Sequence, residues 1–295
     1  MRCEVKVLVV GCNGQVGRAL LERMPEEVEL LAVDRQTLNI TEASNVEGVI
    51  SEFKPQFVIN AAGYTNVDQA ELERELCYSV NCDGARNLAI SSRNVDATFI
   101  HLSTDYVFAG DKVGQYAETD LADPLNAYGL SKLVGEEAVR ETNAKHIIVR
   151  TSWVFGEHGN NFVKTMLRLG SKHGTLSVVG DQYGGPTYAG DIGDCIITIL
   201  QKLHKGQGEY GTFHFSGTVY VSWAQFADVI FDLVQSNNVY ERPEVKHIST
   251  AEYSTRVARP ANSTLCCDKI WDTFRIRPSD WQNALTDICN YMEPK

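Results

Sequence analysis

Two residues near the middle of the chain have a spacing typical of proton chemistry at a carbonyl group. Tyr128 and Lys132 are four residues apart in Tyr128-Gly129-Leu130-Ser131-Lys132, so a helix places both side chains on one face. An unperturbed phenol has a pKa of about 10, and a nearby ammonium lowers that pKa because it favours the phenolate. We therefore predict that Tyr128 donates a proton to a carbonyl that is being reduced, with Lys132 tuning it and holding a cofactor.

A pair of hydroxyl residues strengthens this prediction. Ser103 and Thr104 follow the apolar run 98–102, and side chains at the carboxyl end of a parallel strand face the ligand crevice. Thr104 or Ser103 is expected to hydrogen-bond the carbonyl oxygen, where negative charge develops during reduction. Tyr-x-x-x-Lys alone is often a surface pair, and Ser-Thr alone is often a cap, so the prediction depends on all three signals together.

A glycine-rich loop near the start of the chain predicts a dinucleotide site. Gly11-Cys12-Asn13-Gly14-Gln15-Val16-Gly17 lies between an apolar strand and a helical pattern. The glycines allow a tight turn and let backbone N–H groups approach a pyrophosphate. Asp34 ends the next strand, 23 residues after Gly11, where a carboxylate binds the adenosine ribose. The alternative is a plain turn followed by a capping acid. The predicted cofactor residues here are Gly11, Asn13, Gly14, Gln15, Val16 and Asp34.

Three neighbouring residues leave the choice of cofactor open. Arg35 either accepts the 2′-phosphate of NADP or is a solvated surface arginine. Asn39 and Ile40 either flank the adenine or lie in a plain loop. NADPH and NADH are therefore both retained as cofactors.

The elements that must position these residues alternate regularly. Short apolar runs and helical patterns follow one another through the first 150 residues, which indicates βαβ units and a parallel sheet. The strands are continuously apolar, as expected when helices cover both faces. The predicted fold is α/β, a Rossmann-type doubly wound parallel sheet with a smaller intertwined C-terminal domain.

The regular alternation of strands and helices ends after residue 150. The predicted loops become longer there, and irregular stretches surround Pro243, Pro260 and Pro278 further along the chain. We predict an NAD(P)-binding Rossmann domain over 1–155 and about 187–215. A substrate-binding domain is predicted over about 156–186 and 216–295.

Composition excludes several classes of function. The net charge of −11 disfavours nucleic acid and anionic membranes as partners, and no apolar run is long enough for a membrane span. The eight cysteines contain no Cys-x-x-Cys pair and no zinc spacing. We therefore expect reduced thiols, no metal and a cytoplasmic location.

Longer stretches of the sequence resemble a known family. The chain is similar to the extended short-chain dehydrogenase/reductases, and among them to the dTDP-4-dehydrorhamnose reductases. The resemblance extends over nearly the whole chain. Besides the glycine loop, 103–108 and 126–132, it includes the stretches 60–68 (NAAGYTNVD), 150–155 (RTSWVF), 159–167 (GNNFVKTML), 181–187 (DQYGGPT) and 259–263 (RPANS).

The resemblance implies reduction of the C4 keto group of a nucleotide-linked sugar, dTDP-4-dehydro-L-rhamnose, with Tyr128 as proton donor and Thr104 orienting the oxygen. It adds to the cofactor site the residues Ala62, Gly63, Tyr64 and Thr65. It places against the sugar Asp105, Tyr106 and Trp153. It assigns to the nucleotide diphosphate Asn161, Gln182 and Arg259. Local alternatives remain: Trp153 as plain core, Arg259 as a structural ion-pair partner, and Gln182 as a loop-shaping residue.

The sequence departs from the family at two places. Asn39 stands where an aspartate is common on the adenine side. Some members bind magnesium through glutamates at a subunit contact, whereas this chain has Arg18-Ala19 and Gly190-Asp191 in those neighbourhoods. A homodimer stays open, and a metal bridge is not expected.

Two other functions compete with this prediction. Nucleotide-sugar dehydratases and epimerases are related, but the dehydratases usually have Asp-Glu after Ser-Thr, and this chain has Asp105-Tyr106. A non-catalytic relative, such as the regulatory subunit of methionine adenosyltransferase, keeps the fold and the glycine loop. The presence of Thr104, Tyr128 and Lys132 argues against that reading.

Overall fold

The structure, a computed structural model, describes residues 5–253, 255 and 257–292. The strands within these residues are β1 (Val5–Val10), β2 (Val28–Val33), β3 (Phe57–Asn60), β4 (Thr98–Thr104), β5 (His146–Thr151), β6 (Val154–Phe155), β7 (Thr175–Val179), β8 (Tyr183–Gly184), β9 (Thr187–Tyr188), β10 (Gly211–His214), β11 (Val221–Ser222) and β12 (Glu244–Ile248). The α-helices are α1 (Gln15–Arg23), α2 (Ala43–Phe53), α3 (Val67–Ala70), α4 (Arg74–Tyr78), α5 (Gly84–Asn94), α6 (Ala127–Thr142), α7 (Phe162–Gly170), α8 (Ala189–His204), α9 (Trp223–Ser236), α10 (Asp268–Phe274) and α11 (Trp281–Ala284).

Six strands form one parallel sheet in the order β10-β5-β4-β3-β1-β2. The chain runs outward from β1 to β2, then crosses to the other side of β1 and continues through β3, β4 and β5. A crevice opens beyond the carboxyl ends of β1 and β3, where this direction reverses, and ligands of doubly wound sheets bind at such a point. The predicted α/β fold with a doubly wound parallel sheet is confirmed.

Helices cover both faces of the sheet, which explains its continuously apolar strands. Successive residues of a strand point to opposite faces. Val7 and Val9 pack under α1 and α8 on one face. Leu8 and Val10 pack under α2, α5 and α6 on the other. The two apolar layers hold the carboxyl ends of the strands in fixed positions around the crevice.

A second core lies outside the sheet and is centred on Phe155, Phe226 and Trp281. It joins α7 and α9 with the parallel pair β7 and β12. Most of its residues come from the segments predicted to bind substrate, but Phe155 and Tyr188 come from the segments predicted to bind the cofactor. However, Ile270 and Phe274 of α10 pack in the core of the sheet, so the chain returns to the cofactor side near its end. The domain boundaries stay a prediction.

One predicted helix differs from the structure. The pattern predicts a helix over 77–95, whereas α4 begins at Arg74 and a π-helical turn, Ser79–Asp83, joins it to α5. Such turns are rare in proteins, and many of those that occur lie at functional sites. The edge strand β10 was not predicted, because Phe213 is the one large apolar residue among its four positions. In the described part of the chain, no helix has the length and apolar character needed to span a membrane.

Candidate active site

The glycine loop is shaped by contacts that leave no room for side chains. Gly11 has a φ of +82°, and a Cβ there would lie 2.6 Å from the backbone nitrogen of Ala62. A Cβ on Gly17 would lie 2.2 Å from the Gly11 carbonyl oxygen. β1, β3 and α1 therefore approach each other through glycine alone. Gly14 precedes α1 in an extended conformation, so the free N–H groups of the helix start open onto the crevice.

The crevice beside this loop contains a cavity of about 500 Å³. Asp34 lies in its wall, where Asn13 Nδ2 donates to Asp34 Oδ2 at 2.8 Å. The backbone N–H of Thr37 binds the other carboxylate oxygen and is the main cause that lowers the pKa of Asp34. The carboxylate therefore stays charged. The structure also brings to this wall the predicted residues Gly11, Gly14, Arg35, Asn39, Ile40, Ala62, Gly63 and Tyr64.

The crevice continues into a second cavity of about 420 Å³, which shares Gly14, Ala62 and Gly63 with the first. This cavity reaches the predicted catalytic residues. The structure gathers in its wall Gln15, Val16, Thr65, Tyr128 and Lys132. Predicted cofactor and catalytic groups thus line one continuous crevice.

The Tyr–Lys pair lies at the start of α6. Asn126 caps this helix by accepting a hydrogen bond from Gly129 N–H at 2.9 Å. A Cβ on Gly129 would lie 2.1 Å from the Tyr106 carbonyl oxygen, so the helix start is pressed against the end of β4. Thr104 lies at that end and is buried. The Thr104 hydroxyl lies beside the Tyr128 phenol and favours its ionised form.

The pKa of Tyr128 is raised, which contradicts the predicted lowering by Lys132. Burial is the main cause, and the neighbouring Asp105 raises this pKa further. Lys132 Nζ is bound to the backbone of β4, where Leu102 O accepts its hydrogen bond at 2.6 Å, so the lysine does not offset the burial. A phenol with a raised pKa keeps its proton at neutral pH, which is the form that a proton donor requires.

The two hydroxyls predicted for the oxygen site differ in their surroundings. Ser103 Oγ donates to the buried carboxylate of Glu136 at 2.5 Å. Glu136 is also bound by the Arg150 guanidinium. Thr104 Oγ1 donates to Asp105 Oδ1 at 3.0 Å and accepts from Tyr106 N–H at 3.2 Å. Thr104 is therefore the hydroxyl beside Tyr128, and Ser103 belongs to a buried ion network.

Three buried polar atoms among the described residues have no hydrogen-bond partner. They are Asp105 Oδ2, Thr151 Oγ1 and Arg259 Nε. Asp105 and Thr151 lie at the ends of the neighbouring strands β4 and β5, where Thr104 pairs with Thr151. A buried polar atom without a hydrogen bond is costly. These atoms are therefore available to a ligand.

Tyr106 and Arg259 border the same region. The Tyr106 ring packs edge-on against Tyr128, with ring centroids 5.6 Å apart. Arg259 Nη2 donates to Asp68 Oδ2 at 2.9 Å, so the ion-pair alternative is realised, while Nε stays free for a ligand.

A further cavity of about 280 Å³ lies against α7 and is lined by Phe162, Gln182, Trp223 and Arg259. Trp153 adopts a φ of +47° and stacks on Trp223, with ring centroids 3.4 Å apart. Gln182 is buried and donates to Thr250 Oγ1 at 3.1 Å. Flat aromatic walls with one cation and one amide suit a nucleotide base and its phosphates.

Asn161 lies where the glycine loop meets α7. Its Oδ1 accepts from Lys164 N–H and caps the helix. Its Nδ2 donates to Gln15 Oε1 at 3.0 Å and to the Gly156 carbonyl at 2.8 Å. Both polar atoms of the Asn161 side chain thus have partners within the chain. Asp105 and Arg259, in contrast, each have one polar atom without a partner among the described residues.

Sequence reasoning missed several residues of this site. Asn81, in the π-helical turn, accepts from Tyr64 N–H at 2.8 Å and donates to the Tyr64 carbonyl at 3.0 Å, which fixes the cofactor loop. An asparagine inside a helical pattern is a signal that could have found it. Trp223 gave no such signal, because Ser222 and Gln225 predict a capped helix start but not the direction of the ring.

Within residues 5–253, 255 and 257–292, no group of three His, Cys, Asp or Glu side chains is arranged to hold a metal ion. Catalysis without a metal stays a prediction.

The doubly wound sheet, the glycine loop and the Thr–Tyr–Lys set define an NAD(P)-dependent oxidoreductase of the short-chain dehydrogenase/reductase class. Comparison with known proteins gives the family. The chain belongs to the family described as RmlD substrate binding domain, whose profile matches residues 5–293.

The similarity to several known proteins extends over nearly the full length of both chains. A dTDP-4-dehydrorhamnose reductase of Aggregatibacter actinomycetemcomitans is 48% identical over 292 residues, which cover 98% of this chain and 99% of the relative. A crystal structure of dTDP-4-dehydrorhamnose reductase from Bacillus anthracis in complex with NADP is 41% identical, with a TM-score of 0.88 over 96% of this chain and 98% of that one. A structure from Clostridium acetobutylicum reaches a TM-score of 0.91 at 36% identity, over 97% and 99% of the two chains.

Proposed function

We propose that this chain reduces the C4 keto group of dTDP-4-dehydro-L-rhamnose to give dTDP-L-rhamnose, with NADPH or NADH as reductant. One observation carries the proposal: Tyr128 lines the cofactor crevice, and its phenol lies against the buried Thr104 hydroxyl, which is itself bonded to Asp105. Relatives named as dTDP-4-dehydrorhamnose reductases support the choice of sugar nucleotide.

The crevice fits a dinucleotide. The glycine loop brings backbone within van der Waals distance of β3 and leaves helix N–H groups open to a pyrophosphate. When bound, the reduced nicotinamide supplies the hydride that adds to sugar carbon C4. The residues proposed to hold the cofactor are Gly11, Asn13, Gly14, Gln15, Val16, Asp34, Arg35, Asn39, Ile40, Ala62, Gly63, Tyr64, Thr65, Tyr128 and Lys132.

Tyr128 and Thr104 act on the carbonyl oxygen. As negative charge develops on this oxygen, Tyr128 donates its phenolic proton, so the oxygen becomes a hydroxyl. The Thr104 hydroxyl turns its single proton from Asp105 Oδ1 to the same oxygen and orients it by this hydrogen bond. Lys132 holds the cofactor beside Tyr128 and supplies positive charge near the phenolate that remains.

The remaining residues bind the sugar nucleotide. Asp105 accepts hydrogen bonds from sugar hydroxyls, because its Oδ2 has no partner among the residues that the structure describes. Tyr106 and Trp153 pack against the sugar ring. Gln182 and Arg259 bind the nucleotide diphosphate from the wall of the cavity beside α7. Asn161 contributes by holding the start of α7 against Gln15.

Both cofactors are proposed to be accepted. Asp34 favours NADH through the ribose hydroxyls, and the exposed Arg35 at the rim of the first cavity can pair with a 2′-phosphate. The measured ratio of kcat/KM for NADPH and NADH decides the preference.

A direct assay tests this function. Purified protein is mixed with dTDP-4-dehydro-L-rhamnose and each reduced cofactor, oxidation is followed at 340 nm, and the product is identified by NMR. We expect dTDP-L-rhamnose with at least one cofactor and a background rate from Tyr128→Phe. The absence of turnover with both cofactors, in a protein that binds them, would contradict the proposal.

The alternatives have distinct signatures. A dehydratase or epimerase would retain tightly bound NAD through purification, and the Asp105-Tyr106 dipeptide does not favour the dehydratase. A regulatory protein would co-purify with a larger synthetase.

The net charge of −11 does not favour nucleic acid as a partner. We also propose a cytoplasmic location, which suits the free thiols among the described residues, and leave a homodimer to be tested by light scattering.

A further inference from the structure

Two polar residues lie inside the apolar sheet behind the catalytic lysine. Asn60 on β3 and His101 on β4 are each 1% exposed and face each other in the strand register. Asn60 Nδ2 lies 3.1 Å from His101 Nδ1, and His101 Nε2 lies 3.4 Å from Lys132 Nζ. Buried polar side chains are retained at a cost, and the proposed reaction gives neither residue a role.

The backbone determines which way the Asn60 amide points. Ala62 N–H donates to Asn60 Oδ1 at 3.1 Å. A backbone N–H can only donate, so the amide oxygen faces Ala62 and the amide NH2 faces the imidazole. Since an amide NH2 also only donates, His101 Nδ1 must be the unprotonated, accepting nitrogen. Neutral His101 therefore carries its proton on Nε2, the nitrogen beside Lys132.

His101 does not gain a second proton. Burial, followed by the charge of Lys132, holds its pKa well below the ordinary value. Lys132 therefore faces an N–H donor on the β4 side. A lysine ammonium has three donors and no acceptor, so it cannot accept this N–H, whereas a neutral amine can.

The other groups around Lys132 act on it differently. Burial lowers the pKa of Lys132 to about 8, while Glu136 on α6 and Cys77 on α4 raise it. Glu136 is bound to Arg150 of β5, which reduces its effect on the lysine. Tyr128, on the same face of α6, is the neighbour that loses a proton in the proposed reaction.

We propose that Asn60 and His101 are positioning residues for Lys132: they present an N–H that stabilises its neutral amine over its ammonium form. This inference rests on the proposed function, in which the Lys132 ammonium supplies positive charge near the Tyr128 phenolate. When the ammonium gives a proton to water, the Nζ lone pair accepts from His101 Nε2–H. The positive charge is then lost, so the reaction slows at alkaline pH.

Two substitutions test the direction of this effect. His101→Phe keeps a ring stacked on Phe99, whose centroid lies 5.9 Å away, but removes the N–H. Asn60→Asp offers Nδ1 an oxygen, which moves the imidazole proton to Nδ1 and leaves Nε2 to accept from the ammonium. Both variants are expected to raise the pKa of Lys132 by about 0.5 to 1 pH unit, the worth of one hydrogen bond.

Two measurements are made on the wild type and on each variant. NMR titration of lysine-labelled protein, with the Lys132 signal assigned by Lys132→Arg, gives the lysine pKa without any turnover. The alkaline limb of the kcat profile gives its effect on the reaction. His146→Phe on β5 is the matched control, because its ring is bonded to the Asn143 carbonyl. A failed reductase assay with a shifted NMR titration would count against the proposed function and not against the His101–Lys132 coupling.

The expected result is an upward shift in both measurements, with KM and the cofactor Kd within about twofold of the wild type. An unchanged or lowered Lys132 pKa in His101→Phe overturns the inference. Loss of cofactor binding with an unchanged titration also overturns it, since that pattern marks a purely structural role. If His101→Phe does not fold, Asn60→Asp decides the question together with the ¹⁵N shifts of His101, because the added carboxylate alone raises the Lys132 pKa. A raised Lys132 pKa with the imidazole proton still on Nε2 overturns the inference.

Discussion

Replacing Asp105 with asparagine is expected to stabilise the free enzyme while weakening substrate binding. The Asp105 side chain is 2% exposed, and one of its carboxylate oxygens has no partner. Burial is the main cause that raises its pKa from 3.8 to about 6, and the nearby Ser263 hydroxyl opposes this rise only in part. Asparagine keeps the acceptor for the Thr104 hydroxyl and removes the buried charge.

The size of the expected change in the free energy of unfolding follows from the raised pKa of Asp105. A rise of about two pH units, at about 1.4 kcal/mol each, means that the charged carboxylate destabilises the fold by about 3 kcal/mol. Because the folded state holds the proton more tightly than the unfolded chain, the contribution of Asp105 to stability is most favourable below about pH 4 and becomes unfavourable as the pH rises through about 6. The unpartnered amide of the variant costs about 1 to 2 kcal/mol. The net gain of Asp105→Asn at pH 8 is therefore about 1 to 2 kcal/mol.

Urea unfolding followed by tryptophan fluorescence measures this gain. We expect the variant to be more stable than the wild type at pH 8 and to lose that advantage at pH 4. Asp123→Asn, at an exposed position, is the control and should change neither curve. A variant that is less stable at pH 8, or an advantage of the same size at both pH values, would refute the reasoning. Its KM for the sugar nucleotide should rise at pH 8.

Three further predictions concern the reaction. Tyr128→Phe should lower kcat by about two to four orders of magnitude, because a positioned acid contributes that much, with little change in the cofactor Kd from fluorescence titration. Arg35→Ala should weaken NADPH about tenfold or more and NADH little, since a charge-assisted contact to phosphate is lost; equal losses would remove Arg35 from 2′-phosphate recognition. EDTA should change initial rates by no more than about twofold, far less than the rate loss expected on removal of a Lewis-acid metal. If light scattering shows that a dimer dissociates when EDTA is added, the expectation of an interface without metal is contradicted.

The sequence was most informative where side-chain type and backbone geometry depend on each other. The glycine loop was predictable because Gly11 and Gly17 meet backbone where any Cβ would collide. The parallel sheet was predictable because strands covered on both faces must be apolar throughout.

Other features depend on contacts between distant segments and leave little trace in a local pattern. The lysine was expected to lower the Tyr128 pKa, but spacing could not reveal that Lys132 donates to Leu102 O. The stacking of Trp153 on Trp223 joins positions 70 residues apart. Asn60 and His101 were visible as polar residues in apolar strands, yet their pairing depends on strand order.

The contact between Gln15 and Asn161 matters for recombining parts of related enzymes. The loop 156–161 lies on α1, where a Cβ on Gly159 would come within 3.1 Å of Gln15 Cγ. Gln15 belongs to the glycine loop region, whereas Gly159 and Asn161 precede the helix that lines the cavity beside α7. A chimera that takes its cofactor half from one relative and its substrate half from another must therefore inherit these three residues as a set. Otherwise α7 loses its anchor on the crevice, and a half selected for a new sugar no longer presents that sugar to the reductant.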